Sequence, residues 1–574
     1  MLAKRYAPFA VVVSALMLLV IIAPSRPPTS TANPFPFPAA SAVSPQAGAG
    51  AATDQQQAAA ASPGATAAPT AGAAVALAGG TGTGAAGAGT SRSSGSGASS
   101  GSGATAAGAT PGDTTHCVKG RQFGDLETAP PCAPKFAGDN GGNTWAGVTK
   151  DTIEIVYYRE KDNPAVKAIE QGGGIYSDPT AQQQFLSVAQ DFINRKYELY
   201  GRKIRIDWFQ GACSPAPPDP PCDRNDADKI VSQFHPFLVL YDNNSNLPEF
   251  YDQLARDQTM SFGGWHFADT FDTGLRPWHW DVYMGGLYQA ELTGEWWCKR
   301  MAGKPARYAG DATLQGQTRR VAIVVPQYPT NQESADHLAS IINGCAPQSA
   351  EVIAYSSDTS TATAQATSDV AKEMKNGDTS ILWFSDPIAP VYGTSAEASQ
   401  NYHPEEVLVG SGLLDYDALA QLYNQQEWVN AFGPSDIQDQ PAFTNTDAAI
   451  VWHAQGQAGD PYTSANLPWG YLATMAYIIE QTGPTLNPGT FEQGAFHGPY
   501  ENFWAAAHDS SHPYIAYGTD PNADGAYTGI KDEREVYWDP NKVSPINGKQ
   551  GAYVSLNGGA RYSRGAYPST EFTK

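Results

Sequence analysis

Two short patterns in this sequence carry residue types that could do chemistry. The stretch "DPNADG", residues 520–525, sets oxygen-bearing side chains at alternate positions ahead of a glycine. That is the head of a calcium-binding loop. The twelfth position of such a loop supplies a carboxylate; here it is Lys531, and an ammonium cannot ligate calcium. The stretch reads as an Asx- and Gly-rich turn, with a calcium site of another kind as the alternative. "GASSG", residues 97–101, satisfies the G-x-S-x-G spacing of an exposed serine nucleophile. It lies in low-complexity sequence with no strand ahead of it, so nothing would position the serine. His266 and His279 lack an i+4 partner or a neighbouring cysteine, so they read as structural. No Ser/His/Asp set, metal cluster or phosphate loop is recognisable. No catalytic residue, cofactor or metal is therefore expected, unless two carboxylates, Asp386 and Asp415, face one another.

Cysteine usage points to an oxidising compartment. Six cysteines, Cys117, Cys132, Cys213, Cys222, Cys298 and Cys345, all follow residue 115 and none has CxxC spacing. In an exported chain the default is disulfides, and six cysteines allow 15 connectivities. Proximity favours Cys117–Cys132 and Cys213–Cys222, leaving Cys298–Cys345. The N-terminus agrees with export. Lys4 and Arg5 precede an apolar run ending near Ala23, so residues 1–33 read as a signal peptide or a membrane anchor. Residues 34–115 are almost entirely Ala, Gly, Ser, Thr, Pro and Gln. Such a stretch cannot bury enough apolar surface to offset its ordering entropy, and it reads as a disordered tether. The formal net charge of −22 argues against nucleic acid and anionic lipid as partners.

From about residue 145 onward, short β-rich runs alternate with helical patterns. Strands are predicted at 152–158, 203–209, 237–241 and 260–264, with helices at 178–201, 224–234, 247–257 and 283–302. A second series follows: strands at 320–325, 351–355, 380–384 and 407–411, with helices at 331–343, 362–376 and 387–400. Strands spaced by helices imply parallel sheets covered on both faces. Two such series imply two Rossmann-like α/β lobes with a cleft between them, and ligands in such sheets bind beyond the carboxyl ends of the strands.

Several segments in order resemble one family. "WAGVTKDTIEIVYY", "YGRKIRIDWFQGACSPAPP", "DTGLRPWHWDVYMGGLYQAELTGEWW", "RRVAIVVPQYP" and "PWGYLATMAYIIEQTGPTLNPGTFEQGAFHGP" are similar to the type I periplasmic solute-binding proteins of branched-chain amino acid ABC transporters. The resemblance covers most of residues 145–540. It implies a solute-binding domain over 116–574, with lobe 1 at about 145–303 and 433–530 and lobe 2 at about 304–432 and 531–574. It implies a ligand between the lobes, an ABC-type permease as partner, a monomer, and an extracytoplasmic location.

The resemblance also implies site residues. Tyr328 stands where the family has a ligand-contacting tyrosine. Ser245, with Asn244, stands where small hydroxyl residues hold a ligand carboxylate. Gly264 and Trp265 follow the next strand, where the family uses backbone and a small hydroxyl residue. Trp265 and His266 depart from that pattern and put an ordinary α-amino acid ligand in doubt. Asp386 and Asp415 each follow a strand of lobe 2, where a carboxylate either pairs with a ligand ammonium or caps a helix. The aromatic group of Trp265, Phe267, Phe271, Trp278, Trp280 and Tyr283 reads as cleft wall or as core. The ligand expected is an amino acid-like molecule, amide, short peptide or aromatic acid. An envelope sensor or partner-binding module with an occluded cleft is the alternative.

Overall fold

The computed structural model describes residues 113–241, 247–264, 267–410, 413–497, 512–518, 520 and 522–574. The expected signal or anchor, nearly all of the tether and the GASSG serine lie outside the described residues. Among the described residues, no helix is long and apolar enough to cross a membrane.

Lobe 1 is built on β1 (Thr152–Arg159), β2 (Lys203–Gln210), β3 (Leu238–Leu240), β4 (Met260–Phe262) and β5 (His279–Trp280). These pair in parallel in the order β2-β1-β3-β4-β5. The crossovers are α1 (Pro164–Gly173), α2 (Pro179–Lys196), α3 (Pro220–Phe234) and α4 (Pro248–Arg256), followed by the short α5 (Asp269–Gly274). The first four begin with proline, whose fixed φ and missing N–H suit the first helical position. Asn163, Asp178 and Asp219 cap three of them. Residues ahead of β1 belong to this lobe too. Phe123, Leu126 and Ala129 are buried in its core, and Phe123 meets Phe192 of α2 edge-on.

Lobe 2 repeats the topology with β6 (Val321–Pro326), β7 (Glu351–Tyr355), β8 (Ser380–Trp383), β9 (Glu405–Leu408) and β10 (Phe432–Ser435), in the order β7-β6-β8-β9-β10. β6 buries both faces, with Val321, Ile323 and Val325 on one and Ala322 and Val324 on the other. That is why it reads as a continuous apolar run. The antiparallel β11 (Asp532–Val543), β12 (Gln550–Ser555) and β13 (Arg561–Ser563) extend the sheet beyond β10.

Several expected boundaries are corrected. The helix expected to run to 201 stops at Lys196, because Tyr197 turns its backbone to extended values. Gly201, at φ 80°, serves the turn into β2 instead. The helix expected over 283–302 is α6 (Gly286–Trp296) followed by a π-helical turn, Trp297–Met301. α6 packs on α7 (Pro329–Cys345) of lobe 2, so the chain leaves lobe 1 near residue 285 and not at 303. β10 joins lobe 2, which moves the second crossing past 435. The strand expected at 407–411 begins at Glu405, because two buried glutamates open it. Glu405 is taken by Arg319, whose Nε and Nη2 each donate to it at 2.8 Å.

The disulfides are Cys117–Cys132, Cys213–Cys222 and Cys298–Cys345, the pairing that proximity favours. The last fastens the π-helical turn after α6 to the end of α7. The lobes touch at both sides of the cleft. Thr270 Oγ1 donates to Glu333 at 3.0 Å, and Lys549 Nζ of lobe 2 donates to the Gly173 carbonyl of lobe 1 at 3.4 Å.

Candidate functional site

In each sheet the order of strands reverses direction beside the first strand, between β1 and β3 and between β6 and β8. A doubly wound sheet offers its ligand crevice at that switch point, outside the carboxyl ends. The carboxyl ends of β1, β6 and β8 deliver Glu160, Tyr328 and Asp386, and all three line one cavity of about 370 Å³ between the lobes.

The lobe 1 wall is a network of ionised groups. Arg159 donates to Gln182 Oε1 at 2.5 Å and to Asp162 Oδ1 at 2.6 Å. Asp162 Oδ2 accepts from Lys167 Nζ at 2.8 Å and from Tyr176 Oη at 2.7 Å. Partial burial opposes its charge, but the bonds from Lys167, Tyr176 and Arg159 outweigh that and hold the carboxyl down at about 2. Asp162 is therefore an anion throughout the physiological range, and it neutralises part of the two cations beside it. Deeper in, Glu160 is buried and accepts from Tyr241 Oη at 2.5 Å.

The lobe 2 wall is aromatic. Tyr328 occupies the N-cap position of α7, where the proline at 329 starts the helix and turns the tyrosine off the strand. Burial raises its phenol, and the charges of Asp386 and Glu160 add to the effect. Tyr355 Oη donates to Asp386 Oδ2 at 2.5 Å. Asp386 Oδ1 accepts the backbone N–H groups of Ile388 and Ala389 at 2.8 and 2.9 Å. Asp386 thus lines the cavity, but as a turn-capping carboxylate whose two oxygens are engaged.

The other expected site residues fall elsewhere. Asp415 is buried inside lobe 2, accepts from Ser435 Oγ at 2.6 Å and is not part of the cavity wall. Burial pushes its carboxyl up to about 6. A carboxylate after a strand here satisfies an internal hydroxyl, not a ligand. Gly264 is also off the cavity wall. It has φ 126°, and an added Cβ would stand 3.1 Å from Phe267 and 3.3 Å from His279. Ser245, Asn244, Trp265 and His266 lie outside the described residues.

Of the described aromatic group, only Tyr283 lines the cavity. Phe267 and Phe271 pack together and on His279. Trp280 is core, against Phe491 and Tyr527, and Trp278 meets Trp145. His279 is fully buried, with Nδ1 2.9 Å from Ser261 Oγ. Burial pushes its imidazole down to about 3, so it is neutral and structural.

In the 520–525 stretch, Asp520 Oδ1 accepts the Asn522 N–H at 3.0 Å, and Asn522 Oδ1 accepts from Arg276 at 2.7 Å. The first oxygen holds the turn and the second holds Arg276 of lobe 1. The one cluster of metal-ligand types among the described residues is Cys213, Cys222 and Asp226. Its cysteines form a disulfide and offer no thiolate.

The lobe 1 network and Glu160 were not among the site residues expected from sequence. The signal was available: "YYREKDN" puts a charged run directly after the first strand, the same position relative to its sheet that singles out Tyr328.

No family model matches the chain, and no curated protein matches it. Solved structures do. A solute-binding protein of an ABC transporter from Rhodopseudomonas palustris, in complex with 3,4-dihydroxybenzoic acid, is 10% identical with a TM-score of 0.48 and covers 72% of this chain and 98% of its own. A leucine-binding protein from Thermotoga maritima is 10% identical with a TM-score of 0.47, covering 71% and 99%. A fatty acid ABC transporter substrate-binding protein from Thermomonospora curvata is 11% identical with a TM-score of 0.48, covering 76% and 100%. At these identities no residue role transfers. The fold rests on the strand order repeated in the two lobes, a two-lobed α/β architecture.

Proposed function

We propose that this chain is an extracytoplasmic solute-binding protein that captures a small molecule between its lobes and delivers it to an ABC-type permease. One observation carries the reading: the two switch points face each other across a cavity of about 370 Å³, within the usual range for ligand sites of roughly 300–1,000 Å³. That open space favours capture over the sensor alternative, whose cleft would be filled by its own side chains. Lobe 1 supplies fixed charge through Asp162, Arg159 and Lys167, and lobe 2 supplies aromatic surface through Tyr328 and Tyr355. A ligand bridging them binds the closed arrangement better than the open one, and only that difference can drive closure. The chain acts as a monomer, held to or exported across the membrane by its N-terminal apolar run and reaching outward on the tether. Amino acid-like molecules, amides, short peptides and aromatic acids are the ligands to try first. A thermal-shift panel of these tests the reading, since a ligand at 100 times its Kd stabilises by about 2.7 kcal/mol. A panel without any shift would remove its support.

A further inference from the structure

The cavity does not end at the cleft. It continues into lobe 2, between β8 and the pair of helices α8 (Ala362–Asn376) and α9 (Ala389–Gln400). Its walls there combine the apolar Ala366, Val370, Trp383 and Gly393 with the polar Gln365 and Asp369 of α8, and its far end is formed by Glu373 and Glu397. Gly393 is required by this packing, because a Cβ would stand 2.3 Å from the Trp383 ring. Trp383 Nε1 in turn donates to a third carboxylate, Glu406 Oε2, at 2.6 Å.

Glu373 and Glu397 are 2% and 1% exposed. Among the described residues, nothing hydrogen-bonds to Glu373 Oε2. Of the basic groups on the surrounding elements, Arg320 is paired with Asp378, Lys372 with Glu351 and His403 with Glu427, and Lys375 is exposed on the outer face of its helix. Among the described residues, the buried Glu373 and Glu397 therefore stand at the end of this passage with no cation paired to them, and Glu397 faces Glu406, which is off the cavity wall, carboxyl to carboxyl. A buried carboxylate needs a proton or a counter-ion.

We propose that this end of the cavity is a subsite for the ammonium head of a linear alkyl amine, whose chain lies along the passage and leads back to the cleft. The proposal rests on the solute-binding reading above and narrows its ligand class. A metal ion fits less well, because these carboxyl oxygens are not among the groups that converge on one point. Burial and mutual repulsion raise the carboxyls of Glu373 and Glu397, which favours the protonated form while the subsite is empty. Seating an ammonium then expels one proton to solvent, leaving one carboxylate beside the bound cation.

The test is calorimetric titration of the folded, disulfide-bonded chain with n-octylamine, n-octanol and n-octanoate, in two buffers of different ionisation enthalpy. The amine is expected to bind at least tenfold more tightly than either control and to release protons. Glu373→Gln with Glu397→Gln should weaken the amine at least tenfold. Ala366→Leu, which narrows the passage and leaves the carboxyls intact, should do the same if the paired variant fails to fold. Equal affinity for octanol, or undiminished amine binding in these variants, would overturn the subsite. A ligand from the wider panel that is lost in Tyr328→Ala but bound normally by Glu373→Gln would preserve the receptor and refute the subsite. No binding in either set would refute both.

Discussion

Tyr328 and Glu160 come from opposite lobes and line the same cavity, close enough that the glutamate charge acts on the tyrosine phenol. Each follows the first strand of its own sheet, β6 and β1, so the two switch points of the fold are the two sides of the cavity. Tyr328→Ala removes a surface that lobe 2 offers only when the lobes meet around a ligand. Affinity should fall by roughly ten- to hundredfold, corresponding to about 1–3 kcal/mol for a residue that both stacks and hydrogen-bonds. Thermal unfolding without ligand should change little. Titration with any ligand from the panel checks this; unchanged affinity would move the site elsewhere.

The disulfide between Cys298 and Cys345 closes a separation of 47 residues, against 9 for Cys213–Cys222. In the chain-entropy picture the longer loop is worth about 4 kcal/mol and the shorter about 2.7. Replacing Cys298 and Cys345 by alanine should therefore lower the denaturation midpoint more than replacing the shorter pair. It should also loosen α6 from α7, which hydrogen exchange at the end of α7 would report. Equal losses from the two replacements would contradict the ranking.

Sequence and structure agree where local physics and packing ask for the same thing. β6 is visible because both its faces are buried and it is apolar throughout. The helix at Pro179 is visible because proline opens it and Asp178 caps it, whereas the helix at Pro164 was not expected and the one at Pro220 was expected only from 224, because their caps Asn163 and Asp219 sit in polar or proline-rich stretches that read as loop. Tyr328 is legible because the end of an apolar strand marks a cleft position. The charged run after β1 carries the right position in the chain, but Arg159, Asp162 and Lys167 look like any solvated surface until Gln182 of α2 and Tyr176 show that they form a wall. Asp415 misled because a carboxylate after a strand serves a ligand or an internal hydroxyl equally well, and Ser435, distant in sequence, decides. The start of β9 was hidden because two glutamates argue against a buried strand until Arg319 is placed beside them.

That pairing is itself testable. Glu405 receives Arg319 through two bonds, with Ser380 Oγ at 2.7 Å and the Tyr308 N–H at 3.1 Å completing its shell. Arg319 and Glu405 are both buried. Removing one partner of such a pair leaves the other charge without compensation, at a cost of about 3–5 kcal/mol. Glu405→Gln should lower the urea midpoint accordingly, and replacing both residues by methionine should restore much of the loss. A single variant as stable as the parent would mean that Arg319 finds another partner or water.

The last expectation concerns acid and the crossing between lobes. Asp281 follows β5 directly, where the chain passes from lobe 1 to lobe 2. Its Oδ1 accepts from the Tyr283 N–H at 3.1 Å and from Tyr471 Oη at 3.2 Å, while Tyr517 Oη donates to its main-chain carbonyl at 3.0 Å. Burial outweighs these bonds and pushes the carboxyl from 3.8 up to about 7. A carboxyl with a raised folded-state pKa holds its proton in the folded chain after the unfolded chain has lost it. Stability is therefore full below about pH 4 and declines as pH rises toward 7, where the penalty is complete. A displacement of this size is worth on the order of 4 kcal/mol at most. Asp415, raised to about 6, acts in the same direction. The buried Lys531, lowered to about 7, adds slope of the opposite sign, but only above pH 7. Between pH 5 and 7 the urea midpoint should therefore fall. Asp281→Asn should flatten that decline by gaining stability at pH 7 more than at pH 5. A parent protein whose midpoint is level across this range, or a variant with an unchanged slope, would show that the crossing at Asp281 is open to water and carries no such penalty.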